Sequence, residues 1–349
     1  LPLILVVALV SCGKQEVKTD GLLTVNWQYD GFEEPLSVGV RPSKGYIMAV
    51  SVSGNEYTLI DEATGQAEWI RTVDEETGSD NAFPPVEASG RIIFSCGNQL
   101  RCMDMRTGDQ LWSVATRDTD IGPASFSQPA FSNGRIFVGT ASGSLLCLDA
   151  PSGVQNWEIK SSVDAYGPVV AMGDKIVANM LSGRIECRKQ DQGWVVWKND
   201  HFSLPSEPIP NDGETLYLSN PGPSIAALDI NDMKVLWTKS IANKTGTLQF
   251  NPELTGDLIF CCDENTVYGF QRKTGEEKFK FEIPFDPTHL KALSNRLLIT
   301  SKNRLYCYSF DGKLLGEFKE PNGDELFGID EGKSTIICWS ARTIYGLSK

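Results

Sequence analysis

The phrase Asp-x-x-(Thr/Ser)-Gly-x-x-x-Trp returns about every 40 residues, and few architectures can absorb such a period. Full copies run from Asp61 to Trp69, from Asp104 to Trp112 and from Asp149 to Trp157. Degraded copies keep the same spacing: Lys189 leads to Trp197, Asp229 to Trp237, and Gln271 to Phe279. A shortened copy follows at Asp311-Gly312-Lys313-Leu314-Leu315. Each residue type has a physical reason. The Asp carboxylate accepts backbone N–H groups in a tight turn, and Thr or Ser supports the same bend. Gly supplies the left-handed conformation without a Cβ penalty. The Trp opens the next strand and buries on the order of 150–250 Å². At about 25 cal/mol per Å² that is roughly 4–6 kcal/mol of gross burial per repeat.

Two further strand signals precede each turn. One is apolar and β-branched or aromatic, as in Arg91-Ile92-Ile93-Phe94, Arg135-Ile136-Phe137-Val138 and Thr335-Ile336-Ile337. The other follows a short Gly/Asn/Ser turn, as in Leu100 to Met103, Leu145 to Leu148 and Ile344 to Leu347. A short strand beside a proline opens most repeats (Pro85-Val86, Pro129-Ala130, Pro168-Val169, Pro208-Ile209), and proline suits strand starts and sheet edges. That makes four strands per repeat and eight repeats. No stretch carries a helical period. The fold class read from this pattern is all-β: an eight-bladed β-propeller of four-stranded antiparallel blades. The last repeat, Leu326 to Leu347, lacks a Trp strand, while Leu22 to Tyr29 carries Trp27 with nothing before it. The N-terminal strand is therefore expected to complete the last blade, which removes an exposed edge.

Composition narrows the function. The chain holds 45 acidic and 32 basic residues, a net charge of −13, which disfavours nucleic acid, where phosphates must be neutralised. With only His201 and His289, neither a His-rich metal site nor a histidine triad is expected. Leu1 to Val10 is an uncharged apolar run, too short for a bilayer-spanning helix of about 20 residues. It runs into Leu9-Val10-Ser11-Cys12, which resembles the bacterial lipobox. Residues 1–11 read as a truncated lipoprotein signal, 12–21 as a polar tether, and 22–349 as the propeller. Cys12 is the expected lipidation site, anchoring the body at a bacterial envelope, on the outer membrane facing periplasm or exterior.

The turn phrase, with a preceding Gly-x-Ile/Val-x-Val-Gly run, resembles the quinoprotein-type (PQQ-like) propeller repeat, and Gly134 to Asp149 is its best copy. The resemblance covers Leu22 to Lys349. A single-propeller lipoprotein is similar to BamB-like envelope scaffolds, which implies a non-catalytic, protein-binding role among envelope proteins such as the barrel-assembly machinery, with no cofactor. The longer quinoprotein dehydrogenases share the repeat and imply the alternative, a quinone- or sugar-binding propeller that uses the channel mouth. Their adjacent cysteine pair has a counterpart in Cys261-Cys262.

The cysteines have a packing explanation. Alignment on the third strand puts Leu59, Cys102, Cys147, Cys187, Ala227, Gly269, Cys307 and Gly346 in one column, where Cys acts as a small hydrophobe. Cys261 and Cys262 align with Ser95 and Cys96, and strand alternation places them on opposite faces. The candidate ligand residues at the channel mouth are Gln128, Glu207 and Asn251, against ordinary loop polarity. Phe32, Phe83 and Phe126 are the candidate partner anchors, in loops longer or more apolar than turns require. Trp27, Trp69, Trp112, Trp157, Trp197, Trp237 and Phe279 are read as structural. No Gly-x-Ser-x-Gly, His-Glu-x-x-His, Cys-x-x-Cys or Walker-type loop occurs.

Overall fold

The computed structural model describes residues 23–73, 82–116, 118–119, 122–123, 125–161, 166–180, 184–199, 209–220, 224–241 and 251–349. Among these residues there is no helix, and the blades are antiparallel sheets in a ring of eight. Blade 1 runs Leu36–Ser43, Tyr46–Ser51, Glu56–Asp61, Ala67–Thr72. Blade 3 runs Ala130–Ser132, Arg135–Gly139, Ser144–Asp149, Gln155–Lys160. Blades 2, 4, 6 and 7 follow the same meander. Blade 5 has three assigned strands, with an Asn211–Leu216 bridge at the innermost position.

Blade 8 is closed as the sequence pattern requires. Gly328–Glu331, Thr335–Trp339 and Ile344–Ser348 come from the C-terminal end, and Val25–Tyr29 adds as the outermost strand. Trp27 sits opposite Gly346, as Trp112 sits opposite Cys102 and Trp157 opposite Cys147. In each of these outer pairs one residue is skipped just before the Trp: Asn26, Leu111 and Asn156. The skipped residue makes a β-bulge that twists the free edge and blunts further pairing.

The core is divided. Eight apolar clusters each lie between two neighbouring blades, such as Met48, Val50, Leu59 and Trp69 of blade 1 against Ile92, Phe94 and Met103 of blade 2. A lone four-stranded sheet cannot bury its two faces, so the ring is the unit of stability. The small-residue column follows from this packing. A Cβ on Gly346 would lie 2.1 Å from Trp27, and one on Gly269 would lie 2.6 Å from Phe260.

The tryptophan of one blade clamps the turn of the next. The Trp69 indole N–H donates to the Met105 carbonyl at 2.9 Å, Trp112 to Ala150 at 3.0 Å, and Trp237 to Arg272 at 2.9 Å. The turn is built locally: Asp104 Oδ1 accepts from the Arg106 and Thr107 N–H groups, each at 2.9 Å. Gly108 then takes φ 71°, and its bare Cα faces the Trp69 ring. In blade 5 Met233 holds the glycine position at φ 61°, yet Trp197 still reaches the Ile230 carbonyl at 2.6 Å.

Candidate functional site

The innermost strands meet around the central channel, and strand register identifies which residues share a level there. Arg41 lies opposite Met48, Val86 opposite Ile93, Ala130 opposite Phe137 and Val170 opposite Val177. Pro210 accepts from the Tyr217 N–H at 2.9 Å at the matching place in blade 5. Glu253, Lys291 and Asp330 lie opposite Phe260, Leu298 and Ile337. One arc of this ring, blades 2 to 5, is therefore apolar. The other, blades 6, 7, 8 and 1, is charged with alternating sign.

Those charges pair from blade to blade. Lys291 Nζ lies 3.5 Å from Glu253 and 3.0 Å from Asp330, and Arg41 Nε lies 3.9 Å from Asp330. Burial pushes the Glu253 carboxyl up, with Lys291 opposing. For Lys291 burial lowers the pKa, but Asp330 and Glu253 outweigh it and hold the ammonium form. The chain of ion pairs consumes the charges that a channel ligand would need.

Of the three proposed channel residues, Gln128 is buried two residues before Ala130, and Asn251 is half-buried two residues before Glu253. They occupy the corresponding place on blades 3 and 6, and His289 holds it on blade 7. His289 Nδ1 lies 3.1 Å from Thr300 Oγ1, and burial lowers its pKa against the pull of Glu325. Glu207, His201 and Cys12 lie outside the described residues.

The aromatic anchors are placed differently from the sequence expectation. Phe32 (5% exposed) packs between blades 8 and 1, and Phe126 (1% exposed) between blades 2 and 3. Each loop tucks its ring inward because the gap between diverging blades must be filled, so neither ring offers a surface to a partner. Phe83 is half-buried, with its N–H held by the Ser95 carbonyl at 3.0 Å.

Cys261 and Cys262 do point to opposite faces: the first joins the cluster shared with blade 5, the second that shared with blade 7. Register corrects their alignment by one residue, because Phe260 matches Ile93 and so Cys261 and Cys262 match Phe94 and Ser95. Burial pushes the Cys262 thiol up to about 12. The pair does not fit the cysteine wall of a quinone site, since each sulfur is enclosed between blades and neither borders the channel. All eight described cysteines are buried with no disulfide among them, and the described residues hold no cluster of His, Cys, Asp and Glu that fits a metal ion.

The feature that sequence reasoning missed is on the outer rim. At the start of the outermost strands, blades 3 to 5 expose Val154, Trp194, Val195, Val196, Val235 and Leu236, with Trp194 67% exposed. The same positions carry Gln66 and Glu68 in blade 1, Glu276 and Lys278 in blade 6, and a single exposed leucine each in blades 2 and 7, Leu111 and Leu314. Trp194 was the available signal: with Trp339 it is one of two Trp of the chain outside the repeat spacing.

These features define a repeat-built propeller of the PQQ-like type whose residues serve packing more than chemistry. The sequence profile described as outer membrane protein assembly factor BamB matches residues 24–164, 97–186 and 181–320, and the chain belongs to that family. The outer membrane protein assembly factor BamB of Bordetella pertussis is 24% identical over 254 residues, covering 69% of this chain and 63% of that protein. The protein of the same name from Moranella endobia is 22% identical over 244 residues, covering 60% and 59%. The chain thus spans about three-fifths of these relatives' length. Among solved structures, BamB from Moraxella catarrhalis superposes with a TM-score of 0.71 at 14% identity, covering 94% of this chain and all (100%) of that one. A computationally designed protein, Ika8, superposes at 0.72 with 12% identity, covering 91% and 98%.

Proposed function

We propose that this chain is a non-catalytic scaffold of the bacterial envelope that holds other proteins during outer-membrane β-barrel assembly, tethered to the membrane through lipid on Cys12. Family membership carries this reading, because the matched relatives are named as outer membrane protein assembly factors. The geometry agrees with it in two respects. The channel charges are spent on one another, which leaves little for substrate chemistry. The rim of blades 3 to 5 presents an exposed aromatic flanked by aliphatics, the composition that anchors protein interfaces. That rim lies across the ring from blade 8, to which the N-terminal strand Val25–Tyr29 belongs.

The test is site-specific photo-crosslinking from Trp194 and, as control, from Glu276, in intact envelopes. The reading expects barrel-assembly subunits to be captured from Trp194 and not from Glu276. Recovery of none of them from either position would refute it. The tether is tested separately: Cys12→Ala should release the protein from the membrane fraction, and a membrane-bound variant would exclude lipid on Cys12.

A further inference from the structure

We propose that blade 8 is a gate, the one place where the ring opens while the other blades stay packed, and that the Glu62 carboxylate is its latch. Blade 8 is the only sheet assembled from both ends of the chain, so no covalent turn joins Val25–Tyr29 to Ile344–Ser348. In the seven other blades a hairpin holds the corresponding pair.

Non-covalent contacts replace the missing turn, and they converge on one residue. The Glu62 carbonyl accepts the Trp27 indole N–H at 2.8 Å, which holds the N-terminal strand. The Glu62 carboxylate, 1% exposed, accepts the Lys333 N–H at 2.8 Å, the Ser334 N–H at 2.6 Å and the Thr335 N–H and hydroxyl at 3.0 and 2.9 Å. Those donors belong to the inner turn of the C-terminal part of blade 8. One side chain and its own backbone thus hold both halves of the blade to blade 1. The residue at this turn position is Met105, Ala150, Ile230 or Phe310 in blades 2, 3, 5 and 7, and Arg272 in blade 6, none of which has a side chain that accepts such bonds; Gln190 in blade 4 is a neutral counterpart, whose Oε1 accepts from the Asn133 amide of blade 3 at 3.0 Å, so Glu62 is the one carboxylate at this position. Further charged ties reach blade 8, Asp330 to Lys291 and Arg41 and the buried Glu320 carboxylate to the Tyr345 hydroxyl at 2.7 Å, while other blade pairs carry ties of their own, such as Lys44 to Glu87 and Arg272 to Asp212. Blades 2 to 5 carry apolar residues where Asp330 stands.

The latch is charge-dependent. Glu62 follows Asp61 in the chain, and the surface hollow beside the turn it binds is lined by Lys44 of blade 1 and by Glu331 and Lys333 of blade 8. Lys349 is paired with Glu331 at 2.8 Å, and Lys44 with Glu87 at 2.9 Å. Donors from Lys333, Ser334 and Thr335 surround both carboxylate oxygens, so the latch is strongest while the group is ionised.

Hydrogen exchange of the full chain tests the gate. In E62Q, amides of Val25–Tyr29 and Ile344–Ser348 should exchange at least about tenfold faster than in the parent, the effect of losing charge-assisted bonds. Amides of Arg135–Gly139 and Ser144–Asp149 in blade 3 should not change. Equal acceleration in all blades, or none in blade 8, overturns the proposal. If E62Q does not fold, the parent chain is taken down in pH: earlier loss of protection at Val25–Tyr29 and Ile344–Ser348 than in blade 3 supports the gate, and simultaneous loss overturns it.

Discussion

Trp27 reaches across the closing seam and donates its indole N–H to the Glu62 carbonyl at 2.8 Å, while its ring lies over Gly65, where a Cβ would come within 2.5 Å. The same pairing of a ring with the next blade's turn glycine recurs at Trp69 and Gly108, Trp112 and Gly153, and Trp237 and Gly275. The repeat is therefore a coupling device: half of each phrase is recognised by the Trp of the preceding copy.

Two glycines separate backbone strain from ring contact. Gly134 sits at φ 73° with nothing within 4 Å of a built Cβ, so G134A should cost only the left-handed penalty, about 1–2 kcal/mol. Gly108 has nearly the same φ, but a Cβ would meet Trp69 at 2.6 Å. G108A should therefore cost about 2–4 kcal/mol. Urea unfolding measures both, and equal losses would refute the ring contact as the reason for glycine.

At Trp112, W112F keeps the ring and loses the N–H to Ala150, for about 1 kcal/mol. W112A empties the interblade wedge, for about 3–5 kcal/mol. Phe279 shows that a phenyl ring is accepted at this position, where it pairs with Gly269. Denaturant midpoints of the two variants check the ranking.

The buried thiols should be inert. Burial pushes Cys102, Cys187 and Cys262 up to about 12, so almost no thiolate exists at neutral pH. A native-state thiol assay should detect none of the eight described cysteines, and all of them after denaturation. Rapid native labelling of Cys261 or Cys262 would contradict the packing.

Stability should fall on acidification. Burial pushes Glu62 up, but the donors from Ser334, Lys333 and Thr335 outweigh it and lower its pKa. Glu186 behaves alike: burial raises it, and Lys198 and Arg188 bring it below the ordinary value. A depressed folded pKa stabilises the fold above the unfolded pKa, and that stability is lost as pH falls through the folded value. The urea midpoint should hold near neutrality and drop below the ordinary carboxylate range, and E62Q should flatten the drop.

On the rim, W194S should leave the urea midpoint within about 0.5 kcal/mol of the parent, since an exposed side chain carries little folding energy. A large loss would show that Trp194 packs within the fold instead of facing a partner.

Most of the architecture could be read from the chain itself. Turn chemistry and the spacing of Trp are local, so Asp104, Gly108 and Trp112 announce a hairpin without reference to any other repeat. Trp27, standing alone at one end, with a last repeat that lacks the Trp strand, announces the closure. What could not be read depends on which side of a blade a residue meets. Phe32 and Phe126 sit in loop-like sequence, yet the divergence of the blades draws them into the core. Glu253, Lys291, Asp330 and Arg41 belong to four repeats, and nothing in any one of them signals an ion pair. They meet because the ring brings equivalent positions of successive blades together around one axis, and closure places Arg41, near one end of the chain, beside Asp330, near the other. Periodicity set the kind of sheet and how many there are; the curvature of the ring decided which charges are spent on each other, which rings are hidden, and that Glu62 holds both ends.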